Sequence, residues 1–356
     1  MNHVFKNDLP IALSYNDVLL APQYSEIDSR SDINLETKLS PIHKLSIPLI
    51  SINMDTVTGV EMAIAMGKLG GLGILPRFDS EDIQAEKVSK VKKAKVLTAA
   101  AIGCKDGFME RAEKLANAGA DIITLDVAHA QLKKAIDATG DLKNRFPNLT
   151  IISGVVATYE GAKTLFKAGA DSVRVGVGNG SICTTRIQTG FGIPQFTALF
   201  EASRAAREFK KTILADGGTE NSGDIVKGLA VGASAVISGS QLAGTNEAPG
   251  EIVIINKEKF KKYNASTSLE EKLKQIQNGS TDKGNSYTKH IEGVEAFVRY
   301  KGSVADVVER LMAGVRSGYS YCGAKNINEL WEKAEFIRIT HTGLHENGVH
   351  NVHQIG

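Results

Sequence analysis

Between Ser172 and Gln195 the chain reads Ser-Val-Arg-Val-Gly-Val-Gly-Asn-Gly-Ser-Ile-Cys-Thr-Thr-Arg-Ile-Gln-Thr-Gly-Phe-Gly-Ile-Pro-Gln. One thiol, Cys183, is followed at once by two hydroxyls and a cation, Thr184, Thr185 and Arg186. Such surroundings can lower a thiol pKa and make the thiolate a nucleophile. A small buried cysteine with no chemistry is the competing reading of the same residues. Gly176, Gly178 and Gly180 alternate just before it. Without a Cβ, they let backbone N–H and C=O groups come close to a ligand.

The bulk of the chain narrows the setting of that thiol. Its 356 residues are 42% hydrophobic and 23% charged, ordinary for a globular protein. The net charge of +2 is spread along the sequence and gives no footprint for a nucleic acid, so any anion is held by a local site. Three widely spaced cysteines, Cys104, Cys183 and Cys322, make no disulfide framework. No signal-peptide core and no run of about 18 apolar residues occurs, which excludes a membrane span and gives cytoplasmic as the expected location.

The elements that must position the thiol show as a repeat. Ala118-Gly-Ala-Asp121, Ala168-Gly-Ala-Asp171 and Val231-Gly-Ala-Ser234 each end an amphipathic stretch and open a β-branched run. Glycine there suits the left-handed turn that terminates a helix. Extending the unit gives eight apolar runs, at 48–52, 70–76, 96–103, 122–128, 150–156, 172–178, 212–218 and 235–240. They are continuous rather than alternating, as buried parallel strands should be. Helical patterns at 59–69, 81–93, 107–119, 132–145, 159–169, 195–208 and 222–232 separate them. This is the pattern of an α/β protein with a (β/α)8, or TIM, barrel; an open doubly wound sheet is the competing reading, but a count of eight and near-regular spacing favour closure, and the whole of 1–356 is read as one barrel domain. A polar, Lys- and Glu-rich insertion at about 244–301 delays the last helix, which resumes at Val304. A long insertion after a barrel strand is expected to be a mobile lid over the site. A tail at about 340–356 carries four histidines and is read without a zinc site.

Barrel chemistry gathers at the C-terminal ends of the strands. Those ends carry Asn53, Met54 and Asp55; Asp126 and His129; Gly178, Gly180, Ser181 and Cys183; Asp216, Gly217 and Gly218; and Gly239 and Ser240. Glycine turns after strands seven and eight are where barrels bind phosphate through N–H groups, and Ser181 adds a hydroxyl. Asp216, acceptor-only when ionised, suits the paired hydroxyls of a ribose. Together they predict a nucleoside monophosphate with its base towards Cys183.

The loop Gly178-Asn-Gly-Ser-Ile-Cys-Thr-Thr-Arg186, with Asp216-Gly-Gly218, Met54-Asp-Thr-Val57 and Arg316-Ser-Gly-Tyr-Ser-Tyr-Cys-Gly-Ala324, resembles the IMP dehydrogenase/GMP reductase family from about Leu13 onward. The resemblance implies that Cys183 attacks C2 of a purine nucleotide to give a thioimidate, while a nicotinamide cofactor, NAD(H) or NADP(H), exchanges hydride at that carbon. It implies Thr185 and Glu292 as a proton-transfer pair. Met54, Ser181, Gly217, Gly218, Gly239, Ser240, Tyr263, Ser268 and Gly293 would surround the substrate, with Asp216 on its ribose. Asp126 and Ala128 would lie by the cofactor. Carbonyls of Gly178, Gly180 and Cys183 would match a K+ site, completed around Glu346 of a neighbouring copy in a homotetramer. Carbonyl oxygens suit K+.

Within the family, Val88-Ser-Lys-Val-Lys-Lys-Ala-Lys-Val-Leu97 runs straight into the third strand, leaving no room for the regulatory nucleotide-binding modules that IMP dehydrogenases usually carry. Lys283 and Gly284 stand where the dehydrogenases' water-activating Arg-Tyr pair belongs, and neither replacement is conservative. Tyr321-Cys-Gly-Ala324, the insertion length and Gly343-Leu-His-Glu-Asn-Gly-Val-His350 favour a dehydrogenase instead. Val155 replaces the family's usual asparagine, and Ala130-Gln131-Leu132 its Gly-His-Ser. The reading is a GMP reductase acting on GMP, with an IMP dehydrogenase acting on IMP as the alternative and a non-catalytic nucleotide-binding protein third.

Overall fold

The computed structural model describes residues 9–278 and 287–349. Eight parallel strands close into a barrel: β1 (Leu49–Ser51), β2 (Leu72–Leu75), β3 (Ala99–Ile102), β4 (Ile122–Asp126), β5 (Thr150–Val156), β6 (Ser172–Val175), β7 (Thr212–Asp216) and β8 (Ala235–Ser238). Each pairs with the next, and β8 returns to β1 through Val236 opposite Leu49. The helices between them are α1 (Val60–Lys68), α2 (Glu81–Lys93), α3 (Phe108–Asn117), α4 (Lys133–Arg145), α5 (Tyr159–Ala168), α6 (Gln195–Phe209) and α7 (Ser222–Ala230), and α8 (Val304–Cys322) follows the insertion. Every expected apolar run contains its strand. The overruns fall mostly at the C-terminal ends, where residues such as Val127 and Val177 stay apolar after the ladder has ended.

Side-chain alternation along the strands builds two cores. Ile50, Leu72, Ile74, Ala99, Ala101, Ile122, Ile152, Leu214, Ala235 and Ile237 point inward, and Leu39 and Leu45 join them from a short hairpin (strands Thr37–Lys38 and Lys44–Leu45). Their neighbours of opposite parity, among them Leu49, Leu75, Ile123, Ile151, Val173 and Val236, face the helices. Burying each such Ile, Leu or Val stabilises by about 1.5–3 kcal/mol, which explains why the strands carry no polar alternation.

The repeated glycines turn as their spacing requires. Gly119, Gly169 and Gly232 have φ of +102°, +113° and +124°. The aspartate that follows two of these turns fixes the next strand: Asp121 Oδ2 accepts from Thr98 N at 3.0 Å, and Asp171 Oδ2 from Ile151 N at 3.0 Å. Caps start the helices. Ser80, Thr158, Asn221 and Ser303 each accept a backbone N–H from the first turn of α2, α5, α7 and α8, worth about 1 kcal/mol apiece.

The insertion carries regular structure of its own. Val253–Ile255, Glu258–Asn264 and Glu295–Arg299 form a three-stranded antiparallel sheet, and Leu269–Gln277 a helix. The first hairpin turns on Asn256 and Lys257, both with positive φ (51° and 69°). A two-residue turn of that kind usually announces itself with glycine, and here it does not. At the opposite end of the chain, Phe336–Arg338 pairs antiparallel with Val18–Leu20, binding the tail to the entry segment. No helix of the described residues is long and apolar enough to cross a membrane.

Candidate active site

At the mouth of the barrel the inward positions change from apolar to charged. Asp126, Arg174 and Asp216 follow the same strand parity as the interior Ile and Leu, one layer higher. Arg174 is buried and bridges both carboxylates: Nη1 to Asp126 Oδ1 at 3.0 Å, Nε and Nη2 to Asp216 Oδ2 at 2.8 and 2.7 Å. Arg77 Nε holds the other oxygen of Asp126 at 3.0 Å. Burial would raise the pKa of Asp126, but Arg174 and Arg77, with a hydrogen bond from Asn53, hold it below its ordinary value. Asp216 stays raised, because its burial outweighs Arg174 alone.

Above this layer runs the cysteine loop. Cys183 is half-buried, and its N–H donates to Gly180 O at 3.0 Å. Sγ lies 3.1 Å from Thr185 Oγ1, which donates to Glu292 Oε2 at 2.8 Å. The threonine hydroxyl has one hydrogen and gives it to Glu292, so the thiol is the donor towards Oγ1. The result is a relay from sulfur through hydroxyl to carboxylate. Glu292 is placed by backbone bonds: Thr184 N donates to Glu292 O, and Val294 N to Ile182 O, both at 3.1 Å. Cys183 and Gly293 thus face each other across an antiparallel bridge. A side chain at Gly293 would sit 2.2 Å from Ala265 Cβ, so only glycine fits.

Beside the loop opens a cavity of about 180 Å³, lined among others by Met54, Ser181, Gly217, Gly218, Gly239, Ser240 and Tyr263. Gly217 and Gly218 turn at φ +74° and +79° against Asn179, whose amide donates to Asp216 O at 2.8 Å. Tyr263 is buried, which raises its phenol pKa, partly offset by a hydrogen bond with Ser181. Asp216 lies beneath this cavity, not on its wall.

Other expected residues lie outside this cavity. Ser268 is buried as the N-cap of the helix Leu269–Gln277, accepting from Glu271 N, and the cavity wall is formed instead by Ala265 and Ser266. The expectation placed the contact a few residues too far along, since a capping serine and a contacting one read alike. Ala128 is exposed beyond β4. Glu346 ends the short helix His341–Glu346, which packs on the Tyr15–Asp17 turn. Lys283 and Gly284 lie outside the described residues. In the tail, His341 and His345 are one helical turn apart with rings in edge contact at 5.2 Å. No cluster of three or more His, Cys, Asp or Glu that could hold a metal occurs among the described residues.

Arg174, Arg77, Asn179 and Ser266 were not foreseen. Arg174 left a signal, a lone cation at an inward position of an apolar strand. A larger groove of about 610 Å³ lies at the opposite end, lined by Arg207, Lys210, Lys211 and Trp331. Arg207 and Lys210 end α6, where the helix dipole favours positive charge, and no reactive group faces them.

Fold and site together define a class: a TIM barrel with a relay-coupled thiol at its strand ends, beside a glycine-walled cavity. The chain belongs to the IMP dehydrogenase/GMP reductase family, whose sequence model (IMP dehydrogenase / GMP reductase domain) matches residues 12–350, and is an oxidoreductase acting on purine nucleotides. Inosine-5'-monophosphate dehydrogenase from Cryptosporidium parvum is 39% identical over 388 aligned positions, covering 96% of this chain and 95% of the relative. The enzyme of the same name from Nitrosopumilus maritimus (strain SCM1) is 34% identical over 467 positions, covering 96% and 98%. That alignment exceeds the 356 residues of this chain, so the relative carries residues this one lacks. Among solved structures, a cysteine-to-alanine variant of GMP reductase from Trypanosoma brucei with guanosine 5'-monophosphate superposes with a TM-score of 0.92 at 29% identity, over 98% of this chain and 99% of that one.

Proposed function

We propose that the chain is a GMP reductase, converting GMP to IMP and ammonia through a covalent bond between Cys183 and C2 of the base. The observation that carries this reading is the relay from Cys183 through Thr185 to Glu292 at the edge of the glycine-walled cavity. The phosphate lies against Ser181, Gly217, Gly218, Gly239, Ser240 and Tyr263. Since 180 Å³ is below the roughly 300–1,000 Å³ of a pocket enclosing a whole ligand, the cavity takes part of the nucleotide and leaves the base to the open side near Ile182 and Cys183.

The relay carries the thiol's proton to the leaving group. Cys183 passes its proton through Thr185 to Glu292 and adds to C2. Glu292 returns that proton through Thr185 to the departing amino group, and ammonia leaves as the C2–N bond breaks. A reduced nicotinamide held beside Asp126 would supply the hydride that C2 then needs. The Sγ–C2 bond then breaks, IMP forms, and the thiolate recovers a proton from solvent. Asp126 keeps free lone pairs on a carboxylate held ionised by two arginines, which fits hydroxyls of that cofactor, with Ala128 leaving open surface beside it. Carbonyls of Gly178, Gly180 and Cys183 suit K+, and Glu346 of a neighbouring copy completes that site in a homotetramer. Exposed Ile187 and Phe191, just beyond the cysteine, are apolar surface for such a neighbour.

The direction rests on Lys283-Gly284, which supplies no phenol and no guanidinium to activate water. The names of the relatives favour the second reading, an IMP dehydrogenase that forms XMP from IMP, an oxidised nicotinamide and water. Absorbance at the nicotinamide band decides between them. GMP with NADPH or NADH should lose absorbance. Gain with IMP and NAD alone overturns the reductase reading, and binding of nucleotide without turnover in either tube leaves a non-catalytic protein.

A further inference from the structure

Among the described residues, no cation lines the cavity given to the phosphate. Its one charged wall residue is Glu220, and Asp216 lies beneath, so a dianion there meets only neutral donors and negative charge. The compensating charge must come from outside the wall.

Four lysines are pushed below their ordinary pKa, with burial as the main cause. Lys227 faces Asp224, Lys261 faces Glu247 and Glu61, and Lys272 faces Glu292, but Lys301 faces no carboxylate. It makes no ion pair among the described residues. Its Nζ instead donates to the carbonyls of Ser240 and Gln241, the latter at 3.1 Å, immediately behind the Gly239-Ser240 turn. Those carbonyls belong to the peptides whose N–H groups are those of Gln241 and Leu242; Leu242 N already donates to Gly239 O at 3.1 Å, so the Gln241 N–H is the one left for a ligand. The N–H groups of Gly218, Ser240 and Gln241 donate to no acceptor among the described residues. An ammonium on a carbonyl oxygen polarises the amide and strengthens its N–H as a donor. An unpaired ammonium one peptide away also supplies positive potential that little solvent screens.

We infer that Lys301, anchored on the carbonyls of Ser240 and Gln241, is the positioning residue that makes the β8 turn a phosphate site and gives the enzyme its preference for nucleotide over nucleoside. It touches no substrate atom and acts through the peptides it holds. The inference rests on the nucleotide reading above.

Binding of GMP and of guanosine, measured by calorimetry, tests it in wild type, Lys301→Met and Lys301→Arg. Lys301→Met should weaken GMP about tenfold and leave guanosine unchanged, while Lys301→Arg keeps most of the preference. Equal losses for both ligands, or none, overturn the inference. Phosphorus NMR of GMP bound to wild-type protein gives an independent readout if Lys301→Met fails to fold. The second phosphate pKa, ordinarily about 6, should fall on binding, although Asp216 and Glu220 push it the other way. A bound phosphate titrating at or above its free value overturns the inference in the intact protein. If wild type binds guanosine as tightly as GMP, the nucleotide reading itself fails and takes this one with it.

Discussion

The barrel and the insertion after β8 bury comparable kinds of backbone by opposite means. In the barrel, layers of Ile, Leu and Ala fill the interior and the strands satisfy one another. In the insertion the strands also pair, but lysines serve the carbonyls of the connecting loops. Lys261 reaches the carbonyls of Thr245, Asn246 and Ala248, and Lys272 those of Tyr287 and His290. An apolar layer is non-directional and tolerates adjustment, whereas an ammonium among carbonyls is strong only while its few partners stay in place. The scaffold is therefore rigid, and the part that carries Glu292 is fixed by a small number of polar contacts.

The largest effects lie where the two regions meet in the relay. Cys183→Ala should lower kcat by about 10³-fold or more while the nucleotide still binds, because the side chain of Cys183 is not part of the cavity wall. A variant that keeps turning over in steady-state assays removes covalent chemistry. Glu292→Gln removes the insertion's contribution and should cost roughly 10²-fold in kcat with little change in KM. An equal rise in KM would instead mean that Glu292 binds substrate.

The seam has its own pH dependence. Asp55, just after β1, is pushed up to about 6 by burial first, then by Glu271 of the insertion and by Asp79. The folded protein then holds a proton there that the unfolded chain has lost, so stability falls as pH rises from about 4 to 6 and stays lower above. Asp55→Asn should restore about 2–3 kcal/mol at pH 7.5 and almost nothing at pH 4, read from urea unfolding. A pH-independent effect contradicts that origin.

Smaller changes separate the regions. Gly232→Ala forces a side chain into φ +124° and within 2.6 Å of Ser203 Cβ, and should lower global stability by about 1–2 kcal/mol. Lys272→Met should leave the unfolding midpoint within about 0.5 kcal/mol and instead speed hydrogen exchange and proteolysis between 287 and 294. If the midpoint falls as far as in Gly232→Ala, the insertion is part of the cooperative barrel and the contrast drawn above is wrong.

The same contrast decided what the chain could tell in advance. Barrel strands were legible because a single force, burial on both faces, wrote continuous apolar runs closed by Ala-Gly turns. The cysteine, its threonine and the glycines of the cavity were legible because their types are rare in combination. The insertion was not, because Lys257 occupies a turn position that glycine usually marks and Lys261 is buried where lysine normally signals solvent. Arg174 is hard to read for the same reason, since a charge within Val-Arg-Val looks like an interruption until its two aspartates, 48 residues before and 42 after, are brought beside it.

The bridge between Cys183 and Gly293 ties nucleophile to cover. Whatever lifts the 292–294 stretch parts the bonds from Thr184 to Glu292 and from Val294 to Ile182, and withdraws the carboxylate from Thr185 in the same movement. The carboxylate reaches Thr185 only through the strand that this bridge holds, so the bridge and the relay stand or fall together.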